Sequence, residues 1–447
     1  MKESRLNMSR PFQRLRYGVI LLGCLLVTPV AADDVLRVEI TSGVDAAEPV
    51  AVVPFVWEGA GDPPEDVAGI ISANLERSGY FQPLERAAMP EEPGEGDDVD
   101  LDRWREVEAD NIVIGRIRET DGDRLEIRFQ VLDVYTGDQV LGYRVPARAD
   151  RLRRAAHEIS DRIYEELTGD PGAFNTRIAY VQVERRNERK RFHLLVADSD
   201  GENPRRIMGS PQPIMSPVWS PDGRRLAYVS FENGHSEIFI QELATGERQS
   251  VSSRPGINGA PSFSPDGSRL AMTLTTGAGG PNIHVMDLET GELTQLTENR
   301  AIDTEPTWFP DGERLAFTSD RGGAPQVYAV GTEGGSVQRL TWDGGYNARP
   351  VIAPNGQRMA VVHRGADGFQ IGLQDLERRS FQLLTAGAND ESPSFAPNGR
   401  MLIHAAREDG RGVLAAASTD GRVRQTLAMR DGEVREPAWS PRLDALD

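Results

Sequence analysis

From residue 177 onward, short apolar runs alternate with turns built from Pro, Asp, Asn and Gly. The runs "RIAYV" (177–181), "RLAYV", "RLAMT", "RLAFT", "RMAVV" and "RMLIH" are six versions of one β-prone segment. In the copy that opens at Pro217, "PVWS", "RLAYVS", "SEIFIQEL" and "RQSVSS" read as four strands joined by the turns "PDGR" and "ATGE". Pro and Gly sit there where their backbone preferences suit a turn. Apolar and polar positions alternate imperfectly along these strands, as expected of sheets covered on both faces.

The prolines that open the copies are Pro217, Pro261, Pro306, Pro350, Pro393 and Pro437, at spacings of 44, 45, 44, 43 and 44 residues. A period of about 40–50 residues in β-rich sequence is the pattern of propeller blades. The first apolar run, at Arg177, has no proline segment before it, and the last proline segment, "PAWSP", has no apolar run after it. These halves complement each other. The C-terminal strand is expected to enter the blade begun by residues 177–207, closing six blades as three strands plus one. A β-helix or open solenoid usually has a shorter repeat and leaves the complementary ends unexplained.

Residues 33–170 lack the repeat. "VLRVEI", "PVAVVPFVW", "NIVIGRIRE", "RLEIRFQVLDV" and "QVLGYRVPA" read as strands. Val67, Ile70, Ile71 and Leu75 lie at helical spacing, and so do Leu152, Ala155, Ala156, Ile159, Ile163 and Leu167. A short helix is expected around Trp104, after the acidic loop "MPEEPGEGDDVD". Strands mixed with covering helices predict a separate α/β domain. Gly169, Pro171 and Gly172 mark its end, so the expected domains are 33–170 and 171–447.

The first 32 residues change the picture. Arg10, Arg14 and Arg16 precede the apolar run "YGVILLGCLLV", and the small residues Val30 and Ala32 follow. This describes a secretory leader, residues 1–32, cut after Ala32, with Met1 or Met8 as its start. The apolar stretch is shorter than the ~20 residues of a membrane-spanning helix. Cys24, the only cysteine, falls inside the leader, so the exported chain carries no disulfide or thiol chemistry. "LLGC" has the look of a lipidation box, but apolar sequence continues past it to the better site at Ala32. The expected compartment is the periplasm. A net charge of −19 argues against non-specific nucleic-acid binding.

Catalytic signatures are missing. The sequence has no G-x-S-x-G elbow, P-loop or dinucleotide fingerprint. His157, His193, His235, His284, His363 and His404 show no ligand spacing, and "DSDGEN" (198–203) reads as a turn rather than a calcium loop. No enzyme, cofactor or metal is therefore expected. In a propeller, the loops leading into the innermost strands gather at one mouth of the channel. Here they end in "PIMSP", "GINGAP", "AIDTEP", "GGYNARP", "GANDESP" and "GEVREP". Their divergence among otherwise similar copies points to asymmetric use of that mouth as a binding surface.

An ordered series of segments resembles the TolB family of the Tol–Pal system. They are "VLRVEITSGVDAAEPVAVVPF", "GAFNTRIAYV", "PQPIMSPVWSPDGRRLAYVSFE", "NGAPSFSPDGSRLA", "TEPTWFPDG" and "REPAWSP". The resemblance implies a periplasmic adaptor whose propeller mouth binds the peptidoglycan-associated lipoprotein Pal. It implies that the mature N-terminus binds the C-terminal domain of TolA, and that some colicins use the propeller mouth. It also implies a part in outer-membrane integrity and in constriction during cell division. Carried onto this sequence, the Pal-facing candidates are Ile257, Asn258, Gly259, Ala260, Asp303, Thr304 and Glu305. Met215 and Ser216 join them on propeller geometry. Ile257 stands where the family often has a histidine, and "NARP" lacks the acidic residues expected nearby.

For TolA the candidates are Asp34, Val35, Leu36, Arg37, Val38, Glu39 and Ile40. The alternation in "VLRVEI" suits an edge strand offered to a partner's sheet, and equally the first strand of the N-terminal domain. Two other functions stay open at this point. One is a propeller holding a small molecule or metal in its channel; the other is an accessory propeller of a peptidase.

Overall fold

The computed structural model describes residues 37–40 and 47–443, except 95, 97–98, 121, 188, 277–278 and 428–431; of 37–40 it describes the backbone. After β1 (Arg37–Ile40), an α/β domain carries β2 (Glu48–Val52), β3 (Val56–Glu58), β4 (Phe81–Pro83), β5 (Asn111–Glu119), β6 (Arg124–Asp133) and β7 (Gln139–Arg148). The sheet order is β4-β2-β5-β6-β7, with β3 also beside β5. β2 is parallel to both neighbours, and β5, β6 and β7 form an antiparallel meander. The expected single strand "PVAVVPFVW" is two strands. Pro54 between them has no N–H to give a ladder.

Helix α1 (Val67–Ser78) starts where the Asp66 side chain accepts from the Gly69 amide, and α2 (Leu101–Glu106) carries the fully buried Trp104. Helix α3 (Leu152–Thr168) buries Leu152, Ala155, Ala156, Ile159 and Ile163, while Leu167 is partly buried. α1 and α3 pack on one face of the sheet with Val113, Ile127 and Val131. Trp104 packs on the opposite face with Ile112 and Ile114. α1 ends at Gly79, where φ is 73° and a Cβ would run into Val423 of the following domain. Glycine is needed there on both counts.

The rest is a six-bladed propeller, as the repeat predicts. Five blades are consecutive four-strand meanders whose innermost strands are Ile214–Trp219, Asn258–Phe263, Asp303–Trp308, Asn347–Ile352 and Glu391–Phe395. These are blades 2 to 6. In blade 1 the innermost strand is Glu433–Trp439, beside Arg177–Arg186, Arg189–Asp198 and Arg205–Ser210. The Arg177 amide donates to Ser440 Oγ and the Ser440 amide to the Arg177 carbonyl, both at 2.8 Å. Each innermost strand touches the next, and the last touches the first.

β1 does not join the α/β sheet. It pairs antiparallel with Val423–Leu427, the outermost strand of blade 6, with Arg37 opposite Thr426 and Ile40 opposite Val423. The α/β domain meets the propeller through charge. Arg77 and Arg153 reach Asp200 of the blade 1 turn, Arg77 at 3.7 Å, and Arg400 of blade 6 pairs with Asp170.

Candidate functional site

The entry to each innermost strand repeats one backbone device. The residues before the six prolines, Ser216, Ala260, Glu305, Arg349, Ser392 and Glu436, all have φ between 47° and 58°. Non-glycine residues seldom take this conformation. Each marks a shift of register against the second strand, such as that between Gly259 and Ser262. A bulge of this kind re-aims the side chains around it. Here it makes a ring around the channel, tied between blades. The Arg349 amide donates to Glu305 Oε2 at 2.9 Å, the Glu305 amide to Thr273 Oγ1 at 3.3 Å, and the Ser216 amide to Glu436 Oε2 at 3.4 Å.

Three residues before each proline the side chain points inward. Asn258 and Asp303 have no exposed surface. Asn258 accepts from the Arg254 amide at 3.0 Å and Ser252 Oγ at 2.6 Å, and gives Nδ2 to the Arg254 carbonyl. Asp303 binds Arg321 at 2.8 Å and Asn299 at 2.6 Å. Both therefore shape the rim from beneath. Asn347 and Asp390 occupy the same place in blades 5 and 6 and are buried likewise. Asn or Asp at this place in four of six copies was a readable signal that the chain carries.

The rim itself is apolar on one side. Met215 is 41% exposed, Ile257 47% and Ile302 50%, on successive blades 2, 3 and 4. Ile302 is not among the residues expected from sequence, although it stands four residues before its proline just as Ile257 does. Gly259, Ala260, Thr304, Glu305 and Ser216 are partly exposed between and below these side chains.

Across the mouth the surface is charged. A cavity of about 330 Å³ between blades 5, 6 and 1 is lined by Glu305, Tyr346, Arg349, Glu391, Arg407 and Arg435 among others. Arg349 pairs with Glu436, two blades away. Burial works against its charge, but Glu436 and Glu305 outweigh that and raise its pKa above the usual arginine range. The mouth thus offers an apolar arc for shape contact and a fixed set of charges for orientation.

Asp34, Val35 and Leu36 lie outside the described residues; Arg37–Ile40 form β1 on blade 6. Among the described residues, one group has metal-like spacing: His157, Asp198 and Asp200 at the junction of the domains. Two arginines already supply positive charge to Asp200. Asp198 and Asp200 also hold their turn, accepting from Asn203 Nδ2 at 2.8 Å and the Glu202 amide at 3.1 Å.

A family model described as the TolB amino-terminal domain matches residues 36–140, and one described as the TolB beta propeller domain matches residues 164–443. The chain belongs to the TolB family. It is 52% identical over 249 residues to the Tol-Pal system protein TolB of Thioalkalivibrio sulfidiphilus, a stretch covering 56% of this chain and 57% of that one. It is 51% identical over 244 residues to the protein of the same name from Nitrosococcus oceani, covering 54% and 56%. These matches span little more than half the length of the TolB relatives. The crystal structure of TolB from Acinetobacter baumannii superposes with a TM-score of 0.82 at 40% identity, over 91% of this chain and 100% of that one. The α/β domain followed by a propeller is thus the architecture of the TolB family.

Proposed function

We propose that this chain is a periplasmic, non-catalytic adaptor of the Tol–Pal system. Residues 1–32 serve as its export leader, its propeller mouth binds Pal, and its mature N-terminal segment binds the C-terminal domain of TolA. In that role it supports outer-membrane integrity and the constriction of the envelope at division. The observation that carries the reading is the rim of Met215, Ile257 and Ile302, large apolar side chains exposed on successive blades. Exposed apolar groups beside polar, oriented ones suit a protein interface. β1 supports the second half. A strand that is paired along one edge among the described residues can leave that edge and add to a partner's sheet.

Calorimetric titration of residues 33–447 with the soluble domain of Pal tests the reading. One-to-one binding that weakens about tenfold or more in Ile257→Glu or Ile302→Glu is the expected result. These side chains are exposed, so the variants keep their fold. Wild-type affinity in both variants would remove the mouth from the interface, and no binding by the wild type would remove Pal.

A further inference from the structure

Strands β5, β6 and β7 turn one alternate set of positions, Val113, Ile127 and Val145 among them, toward α1 and α3. The opposite set carries arginines: Arg116 and Arg118 on β5, Arg124 and Arg128 on β6, Arg144 and Arg148 on β7. Register places three of them in one row across the sheet. Arg116 lies opposite Arg128, and Arg128 opposite Arg144. Arg124 and Arg148 form a second opposed pair.

Paired strands lie about 4.8 Å apart, and like charges set directly opposite destabilise a sheet. A chain of net charge −19 does not need such a row for solubility. Acidic neighbours are fewer where the row is most exposed: Arg116 has Glu58 at 3.4 Å, and Arg148 has Asp123 and Asp150. Arg128 and Arg144 share the single carboxylate of Glu126, at 2.7 and 3.3 Å. Arg128 and Arg144 are exposed, Arg144 by 61% of its side chain. A groove of about 520 Å³ runs over the row, with Arg116, Arg128, Gln130 and Arg144 in its lining and Gly94 and Gly96 as a wall.

We propose that this arginine face is a docking strip for an extended acidic segment of a partner protein. The charge of the row requires an anion, and two features select a polypeptide. Same-side residues of an extended chain recur about every 6.7 Å; Arg116 and Arg118 on β5 stand one such repeat apart, and Arg124 and Arg128 on β6 and Arg144 and Arg148 on β7 stand two. A guanidinium takes a carboxylate through two parallel N–H bonds. Gly94 and Gly96, which wall the groove, belong to the acidic stretch "MPEEPGEGDDVD" (89–100), and the Gly96 amide donates to Gln130 Oε1 at 3.1 Å.

The test is fluorescence anisotropy of labelled decaglutamate titrated with residues 33–447, at low salt and at about 150 mM salt. The proposal expects saturable binding that weakens with salt. Arg128→Glu/Arg144→Glu should lose about tenfold in affinity or more, a change of about 1.4 kcal/mol. The control pair Arg224→Glu/Arg378→Glu, exposed on the propeller, should stay within about twofold. Circular dichroism checks that both pairs are folded. Equal losses in the two pairs, or no peptide binding at low salt, overturns the proposal. So does binding of inorganic phosphate or of phosphatidylglycerol vesicles that is as tight and as sensitive to Arg128→Glu/Arg144→Glu. Pal titrated into the same variants should bind as wild type, which separates this surface from the mouth.

Discussion

Asp303 shows how a side chain with no exposed surface can set the shape of a binding rim. Its carboxylate holds Arg321 and Asn299 beneath the loop that presents Ile302. Asp303→Ala leaves the guanidinium of Arg321 without that partner and should cost about 3 kcal/mol of stability in denaturant unfolding. Ile302→Glu should leave stability almost unchanged. The sequence marks both residues as part of one loop but does not say which points inward. That depends on the left-handed bulge at Glu305, and a residue before proline is ordinarily expected to be extended.

His157 titrates in the junction of the domains. Burial above all pushes it down to about 4, with Arg77 and Arg153 acting in the same direction and Asp200 opposing. Asn74 donates to Nδ1 at 2.9 Å, leaving Nε2 facing Asp200 at 3.6 Å. A depressed histidine contributes stability that is complete above its free value of 6.5 and is lost as pH falls toward 4. Melting temperature should therefore fall between pH 6.5 and 4.5, and fall less steeply in His157→Gln. Asp200 acts lower on the scale. Burial raises its pKa, but Arg77, His157 and Arg153 outweigh that and hold it at about 2. Its contribution is present above 3.8 and disappears only as pH drops toward 2.

Among the elements, β1 is the one whose place could not be read. "VLRVEI" has the alternation of a strand, yet nothing local names its neighbour, because pairing with Val423–Leu427 joins residues nearly the whole chain apart. If TolA takes this segment as proposed, backbone amides of Val423–Leu427 should exchange faster with solvent in the TolA complex. Hydrogen exchange followed by mass spectrometry checks this, and unchanged protection would mean that β1 stays on blade 6. The arginine face was half legible. "RIRE", "RLEIRFQ" and "YRVPAR" display alternating arginines, but the row exists only through the register of two hairpins. The blades, by contrast, were plain in the sequence because five of the six copies repeat the same Asp-Gly or Asn-Gly turn. Asp222, for example, accepts from the Arg224 amide at 3.0 Å in "SPDGR".

At the scale of the whole molecule, the ring holds because neighbouring blades are stitched at their inner strands. Trp219 Nε1 donates to the Ala438 carbonyl at 2.9 Å, and Trp308 Nε1 to the Ser262 carbonyl at 3.0 Å. Removing residues 433–447 would take the innermost strand from blade 1 and the Ala438 acceptor from blade 2. The expected result is loss of a single cooperative melting transition, read by calorimetry, rather than a small shift of its midpoint. The pairing of Glu433–Trp439 with Arg177–Arg186 also dictates an order of events in time. Domains generally begin to fold from the N-terminus as the chain emerges, but this ring lacks a member of its first blade until nearly every residue has arrived. A polypeptide threaded through a narrow translocation pore must stay pliable until it is across. If residues 1–32 export this chain as proposed, keeping the final strand back lets it lock only on the far side.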